Sequence, residues 1–137
     1  MERGINGVFR LLTRLGLGAK YRHILTVRGR KSGKLYSTPV DVMESGGRRF
    51  LVAPYGVVNW VRNARAVGEV SLSRGGRTER VRVSELSPEA SAPVLRQYIS
   101  EVRVTRPYFD VTLDSTDQEF AAEARRHPVF EIQASSS

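Results

Sequence analysis

The densest cluster of charge in this 137-residue chain is Arg-Gly-Arg-Lys-Ser-Gly-Lys at residues 28–34, where four of seven residues are cationic. A turn that contains Gly29 and Gly33 can direct several backbone N–H groups at one point, while arginine and lysine add charge and forked donors. This pattern is suited to binding a phosphate or a carboxylate. The glycine spacing differs from that of a Walker loop, and the composition is also typical of a solvated turn between two strands.

A second group of candidate residues follows a break in the chain at Pro-Tyr-Gly, residues 54–56. The helix predicted directly after this break begins with polar and aromatic side chains, at Asn59, Trp60, Arg62 and Asn63. A strand end, a turn and a helix start together expose backbone N–H groups to which an anionic or flat polar ligand can bind. Trp60, the only tryptophan, is equally suited to anchoring the helix on the core.

Side chains that could carry out catalysis by themselves are scarce. The chain has no cysteine, which excludes disulfides, thiolate metal sites and cysteine nucleophiles. His23 and His127 lack the neighbours of a triad or a metal site, the carboxylates are scattered, and no serine lies in a nucleophile elbow. We therefore predict no metal ligand and no catalytic side chain, and expect that a bound cofactor carries any reaction.

Composition and length restrict the classes of protein and of binding partner that remain. The 22 Lys and Arg residues against 14 Asp and Glu give a net charge of +8, which suits nucleic acid, anionic lipid or a polyanionic small molecule. The length predicts one domain, and a hydrophobic content of 40% is ordinary for a globular protein. No apolar stretch approaches the about 18 residues of a membrane span, and no signal peptide is recognisable, so a cytoplasmic location is expected.

The elements that position these residues follow from the periodicity of apolar side chains. We predict helices at residues 1–18, 57–67, 88–102 and 117–126, and strands at 21–27, 35–43, 48–53, 70–72, 81–83 and 129–132. Pro39 indicates a bulge, a strand end or an edge position within its strand. Because hairpins dominate, the pattern favours an α+β protein, an antiparallel barrel over residues 19–133 with helices packed outside, and a flexible tail at 134–137.

The predicted N-terminal helix is amphipathic. Its apolar face consists of Ile5, Val8, Phe9, Leu12 and Leu15, and arginines occupy the remaining surface. A helix of this kind covers one end of a core or lies on a membrane surface, so peripheral membrane contact stays open.

Four motifs occur in one order along the chain: Gly-Arg-Lys-Ser-Gly at 29–33, Ser-Thr-Pro-Val at 37–40, Ala-Pro-Tyr-Gly at 53–56 and Asn-Trp-Val-Arg-Asn at 59–63. Together they resemble the deazaflavin-dependent nitroreductase family, the Ddn-like actinobacterial oxidoreductases that use coenzyme F420, over roughly residues 5–133. The resemblance implies a split antiparallel β-barrel of the flavin-reductase, or FMN-binding, type. It also implies hydride transfer from reduced F420 to an electron-poor planar acceptor such as a quinone, a nitroaromatic or a conjugated enone.

The resemblance also implies a set of site residues. The cofactor's phosphate and acidic tail would contact Arg30, Lys31 and Ser32. The strand beside the deazaflavin would present Tyr36, Ser37, Thr38, Pro39, Val40 and Asp41. The polar edge of the ring would meet the backbone of Ala53, Pro54, Tyr55 and Gly56. The phosphate and linker side would be closed by Asn59, Trp60, Val61, Arg62 and Asn63. The acceptor pocket would include Tyr108 and Phe109.

Two alternatives remain open at this point. The same barrel could bind FMN and act as an FMN-dependent oxidoreductase. A basic barrel could also bind nucleic acid, since Tyr21, Tyr36 and Tyr55 lie near basic residues. The cations cluster at one turn and do not alternate with aromatic residues along a face, so we expect a small-molecule partner and no nucleic acid.

Overall fold

Six antiparallel strands form a closed barrel in the computed structural model, which describes residues 22–134 of the chain. The strands are β1 (Arg22–Arg28), β2 (Leu35–Ser45), β3 (Arg48–Val52), β4 (Glu69–Arg74), β5 (Arg77–Glu85) and β6 (Val129–Ala134). Their order around the barrel is β1-β2-β3-β6-β5-β4, and pairing of β4 with β1 closes it. The predicted antiparallel barrel is confirmed, whereas the predicted helix at 1–18 lies outside the described residues.

Helices connect the strands on the outside of the barrel. They are α1 (Asn59–Val67), α2 (Pro88–Glu101), a 3-10 helix (Arg103–Tyr108) and α3 (Asp117–Glu123). The Ser87 hydroxyl caps α2 by accepting the Ala90 N–H at 3.1 Å. Thr116 and Glu119 form a capping box at the start of α3. Both caps agree with the local sequence.

Several boundaries differ from those predicted. The helix predicted from residue 57 begins at Asn59, and β4 and β5 are longer than the predicted strands at 70–72 and 81–83. Residues 103–108, for which no element is predicted, form a 3-10 helix. The third α-helix ends at Glu123 and not near residue 126, because the chain turns there toward β6. Strand β6 continues to Ala134, which pairs with Val81, and so enters the predicted tail. Residues 135–137 lie outside the described part of the chain.

The strands separate two hydrophobic cores. One fills the barrel, where Leu51 and Phe130 are buried and α1 adds Val61 and Ala64. The other lies between the barrel and α2, the 3-10 helix and α3. Strand β3 contributes to both, because its alternate residues point to opposite faces. This explains why the last three residues of the strand, Phe50, Leu51 and Val52, are all apolar.

Strand β2 changes partner along its length. Its residues 35–41 pair with β1, and its residues 42–45 pair with β3. Among the described residues, the first half of β2 is therefore paired on one side only. Pro39 lies in this half, opposite Ile24, where the missing N–H costs no sheet hydrogen bond. The edge interpretation of Pro39 is thus confirmed, and the opening in the sheet leaves room for a ligand.

Within the described residues, no helix is long and apolar enough to cross a lipid bilayer.

Candidate functional site

A cleft of about 460 Å³ lies between the β1–β2 turn, β2 and the start of α1. We call it the basic cleft. It brings together many of the predicted site residues, which come from three separate motifs: Arg30, Lys31, Ser32, Tyr36, Ser37, Thr38, Asn59, Trp60 and Asn63. Gly29, Val27 and Val58 complete its lining.

The β1–β2 turn is held by its own backbone. The Gly29 N–H donates to the Lys34 carbonyl at 2.6 Å, and the Gly33 N–H donates to the Gly29 carbonyl at 3.0 Å. The Arg28 guanidinium also donates to the Gly33 carbonyl, at 2.6 Å. A Cβ on Gly29 would lie 2.6 Å from Cε2 of Tyr36, so any side chain there would displace the ring. The turn therefore requires glycine at 29 for close packing.

Asn63 ties this turn to α1. Its Oδ1 accepts the backbone N–H of Arg30 at 3.0 Å and Nη1 of the same residue at 2.8 Å. Asn63 is only 3% exposed, so these hydrogen bonds are shielded from water. The result is a turn whose position relative to the helix is fixed, with Lys31 and Ser32 exposed in the cleft.

A second cavity, of about 290 Å³, adjoins the basic cleft. Its walls are mostly apolar and include Pro39, Val40, Val52, Pro54, Val58, Val102 and Val104. We call it the apolar cavity. It shares three lining residues with the basic cleft, Thr38, Val58 and Trp60. Two ligands that filled the two cavities would therefore contact the same short stretch of wall.

One charged pair lines the apolar cavity. The Tyr98 hydroxyl donates to Oδ2 of Asp41 at 2.9 Å, and Nε of Arg22 lies 3.9 Å from Oδ1. The side chains of Asp41 and Arg22 are only 13% and 5% exposed. Burial raises the pKa of Asp41, partly offset by the Tyr98 hydrogen bond and by the charges of Arg22 and His23.

Aromatic rings form part of the walls. Tyr55 lines the apolar cavity, and its ring meets that of Tyr108 edge to face, with centroids 4.9 Å apart. Burial is the largest cause that raises the pKa of the Tyr55 hydroxyl. The Trp60 ring lies 5.9 Å from Phe130 of the barrel core and lines both cavities. Trp60 is thus a core anchor and a site wall at once.

The structure places other predicted residues away from the cavities. The side chains of Ala53 and Val61 are buried in the barrel core, and that of Phe109 is buried in the outer core against His127. Arg62 is exposed on α1 and lines neither cavity. Gly56 and Tyr108 also line neither cavity. The roles predicted for all of the site residues remain predictions.

His127 supports the loop that leads into the apolar cavity. Its Nδ1 lies 3.0 Å from the Ala53 carbonyl oxygen, and its Nε2 lies 3.3 Å from Oε1 of the buried Glu123. The Asp110 N–H donates to the same Oε1 at 3.1 Å. No group of three or more side chains with metal-ligating chemistry occurs among residues 22–134. The arrangement around His127 is therefore a structural connection between α3 and the loop.

Sequence reasoning missed Arg22 and Tyr98 as neighbours of the site. The signal for Arg22 was present: in a hairpin that pairs Arg28 with Leu35, continuing the register pairs Arg22 with Asp41. Tyr98 lies on the inner face of α2, 57 residues from Asp41, and no local pattern connects the two.

Solved structures share the fold. The chain is similar to an F420-H2 dependent reductase, FDR-A, at 20% identity over 83% of this chain and 95% of that one, with a TM-score of 0.55. A domain-swapped dimer matches at 20% identity over 93% and 98%, with a TM-score of 0.60. A Clostridium acetobutylicum protein of the pyridoxinephosphate oxidase family matches at 10% identity over 98% and 85%, with a TM-score of 0.55. These matches confirm the predicted split barrel.

No curated protein sequence matches the chain. The sequence profile of the F420H(2)-dependent quinone reductases, in contrast, matches residues 7–123, which is most of the chain. This match confirms the predicted enzyme class, the F420 cofactor and hydride transfer to an electron-poor acceptor. The chain belongs to the F420H(2)-dependent quinone reductase family.

Proposed function

We propose that the basic cleft holds the reduced deazaflavin cofactor and that the apolar cavity receives a planar, quinone-type acceptor. The observation that carries this proposal is the wall of Thr38, Val58 and Trp60 that both cavities share. Hydride transfer needs donor and acceptor in contact, and adjoining sites provide this proximity without a conformational change.

The residues of the basic cleft fit the cofactor. Its phosphate and acidic tail are polyanionic, and the exposed part of the β1–β2 turn presents Lys31 and Ser32 beside the fixed Arg30. The absence of a side chain at Gly29 lets Tyr36 pack against the turn and form the cleft wall. When bound, the reduced deazaflavin supplies a hydride, that is, two electrons and one proton. Arg30, Lys31 and Ser32 would hold its charged end.

The residues of the apolar cavity fit a lipophilic ring. Val58, Val102 and Val104 offer flat apolar contact, while the pair of Arg22 and Asp41 offers polar contact to a carbonyl oxygen. Tyr55 and Tyr108 at its rim are more than half exposed, which adds apolar surface at the entrance. A bound ring that contacts these walls would displace water from them.

Two variants test the assignment of the cavities. Val104→Asp places a charge in the wall of the apolar cavity, so we expect a higher KM for quinones with unchanged cofactor affinity, measured by titration of Trp60 fluorescence. Leu113→Asp, an exposed leucine outside both cavities, is the matched control. If Val104→Asp leaves the quinone KM unchanged, the acceptor does not occupy the apolar cavity.

The rates at which different acceptors are reduced test which class of acceptor the enzyme uses. Oxidation of the reduced deazaflavin is followed with quinones, nitroaromatics and conjugated enones, each at a series of concentrations. We expect the highest kcat/KM with quinones, because their two carbonyl oxygens match the polar pair in an otherwise apolar cavity. Higher values with nitroaromatics or enones would reassign the acceptor.

The proposal includes a cytoplasmic location with peripheral contact of residues 1–18 to the membrane. Lipophilic quinones are dissolved in that membrane. The amphipathic pattern of this segment and its arginines support the contact. The test is cosedimentation of the full chain with anionic vesicles. We expect binding that is lost in Phe9→Asp, and equal binding of both proteins would remove the segment from the proposal.

A further inference from the structure

Reduction of a quinone requires a proton in addition to the hydride. Hydride addition alone leaves a negative charge on an acceptor oxygen, and in an apolar cavity such a charge is strongly disfavoured. A side chain that lines the cavity can supply this proton directly to the acceptor.

Few side chains of the apolar cavity carry a suitable proton. Arg22 holds its proton too tightly to donate it near neutral pH. The hydroxyls of Thr38 and Thr105 are weaker acids still, and burial further raises the pKa of Tyr55 above its ordinary value. The carboxyl group of Asp41 is the remaining candidate among the described residues that line this cavity.

We propose that Asp41 is a catalytic residue, a general acid whose carboxyl group protonates the oxygen of the acceptor. This inference rests on the proposed function, since it places the acceptor in the apolar cavity. Asp41 lines that cavity directly, and Thr38, three residues earlier on β2, lines both cavities. The acid therefore lies in the cavity of the acceptor, on the strand that also contributes Thr38 to the shared wall.

The hydrogen bond from Tyr98 indicates which oxygen carries the proton. Oδ2 accepts the Tyr98 hydroxyl, which leaves Oδ1, 3.9 Å from Nε of Arg22, as the oxygen that would carry the proton. In the reaction the O–H bond on Oδ1 breaks, its electron pair stays on the carboxylate, and a new O–H bond forms on the acceptor. The acceptor thus gains two electrons and two hydrogens, the deazaflavin loses the hydride, and the carboxylate regains a proton from solvent.

The groups that face Asp41 suit both of its protonation states. Burial favours the neutral acid before the reaction and raises its pKa. Arg22 and His23 on β1 and the Tyr98 hydroxyl on α2 stabilise the carboxylate afterwards. Tyr55, from the loop after β3, interacts with Asp41 as well. The rate should therefore fall as the pH rises through the pKa of Asp41, because the acid form disappears.

The experiment compares two acceptors in wild type and Asp41→Asn. A short-chain 1,4-benzoquinone needs a proton after hydride addition, whereas N-methylacridinium becomes a neutral product without one. We expect hydride transfer to the quinone to slow about 100-fold or more in Asp41→Asn, the usual contribution of a general acid, and to lose its pH dependence. The rate of hydride transfer to N-methylacridinium should change less than about twofold in Asp41→Asn, because this reaction needs no general acid. The affinity for the cofactor should change as little.

Controls separate catalysis from folding. Asparagine still accepts the Tyr98 hydroxyl, and Asp41→Glu restores an acid, so partial recovery of the quinone rate is expected. Asp114→Asn, an exposed carboxylate, should behave as wild type. Carbon-13 NMR of the aspartate carboxyls, recorded without cofactor, should show one signal that titrates above the others and is missing in Asp41→Asn.

Three results would overturn the assignment of Asp41. Equal slowing with both acceptors would make it a residue that holds the cofactor or the fold. An unchanged quinone rate in Asp41→Asn would place the proton source elsewhere. A wild-type enzyme that reduces N-methylacridinium but no quinone would overturn the proposed acceptor itself, which is a different failure.

Discussion

The β1–β2 and β4–β5 turns of the barrel both carry arginines and glycines, yet only the β1–β2 turn lines the site. The β1–β2 turn is packed against Tyr36 and bonded to Asn63 of α1, and it forms one wall of the basic cleft. The β4–β5 turn consists of Gly75 and Gly76, between the paired residues Arg74 and Arg77. A Cβ at either of these glycines would meet nothing within 4 Å.

The difference between these two segments shows what a basic segment needs in order to be a binding site. Both turns attract anions through charge, but a specific site also needs donors whose positions are fixed before the ligand arrives. In the β1–β2 turn, the buried side chain of Asn63 fixes Arg30. The β4–β5 turn extends from the barrel with its arginines exposed. Variants in both turns can test this distinction.

The largest effect is expected from Gly29→Val. The added side chain would overlap Tyr36, whose Cε2 lies 2.6 Å from the position of a Cβ, so the turn and the ring have to move. We expect a loss of about 3 kcal/mol in the free energy of unfolding, the upper part of the range for overpacking. Chemical denaturation measures it. Gly75→Asn in the other turn is the control and should change stability little, because asparagine tolerates its φ of 57°.

Asn63→Ala should have the next largest effect. It removes the acceptor of two hydrogen bonds from Arg30 and leaves a backbone N–H without its buried partner. We expect a loss of about 2 kcal/mol in stability, and weaker cofactor binding because Arg30 is released. Chemical denaturation measures the stability, and titration of Trp60 fluorescence with the cofactor measures the binding. A loss of stability as small as that of the exposed Asn59→Ala would contradict the role of Asn63.

Lys31→Ala tests the exposed part of the basic cleft. If Lys31 contacts the phosphate or the acidic tail, cofactor affinity should fall by about 1.5 kcal/mol, which is roughly tenfold in Kd. The difference should shrink at high salt, since the charge is exposed. The control is Arg77→Ala in the β4–β5 turn. An equal loss of cofactor affinity in this variant would mean that the affinity depends only on the net charge of the protein.

The smallest effect concerns Glu79, the third residue after the β4–β5 turn. Its carboxylate accepts two hydrogen bonds from Arg49 at 2.6 and 3.2 Å, and these lower its pKa. Because the pair is partly exposed, we expect Glu79→Gln to cost only about 0.5 kcal/mol at neutral pH. A lowered pKa means that this contribution is present above the ordinary value of 4.5 and is lost as the pH falls further. Thermal unfolding at pH 7 and pH 3, with no cofactor present, measures it. A cost that persists at pH 3 would contradict this origin.

Local signals predicted most of the fold. The hairpins and the edge position of Pro39 depend on residues near one another in the chain, and both are found in the structure. The end of β6 was placed too early. Its last residue, Ala134, is a strand residue because β5 offers a partner, and a partner about 50 residues away leaves no local trace.

For the same reason, only part of the site was predicted from the sequence. Arg30, Lys31 and Trp60 belong to motifs that can be recognised in one segment, and the cavities contain them. The resemblance implied that Phe109 belongs to the acceptor pocket, but its ring is buried against His127. Whether an aromatic residue faces a ligand or the core depends on the packing of distant elements.

The sequence by itself determined the chemistry that this protein can use. It has no cysteine, few histidines, a cationic turn and four ordered motifs, and these led to a bound deazaflavin as the source of the hydride. Tertiary structure alone decided that Tyr98 bonds to Asp41 and that Asp41 lines a cavity beside the basic cleft. Burial raises the pKa of the Asp41 carboxyl group, and this burial arises only when the barrel closes and α2 packs against it.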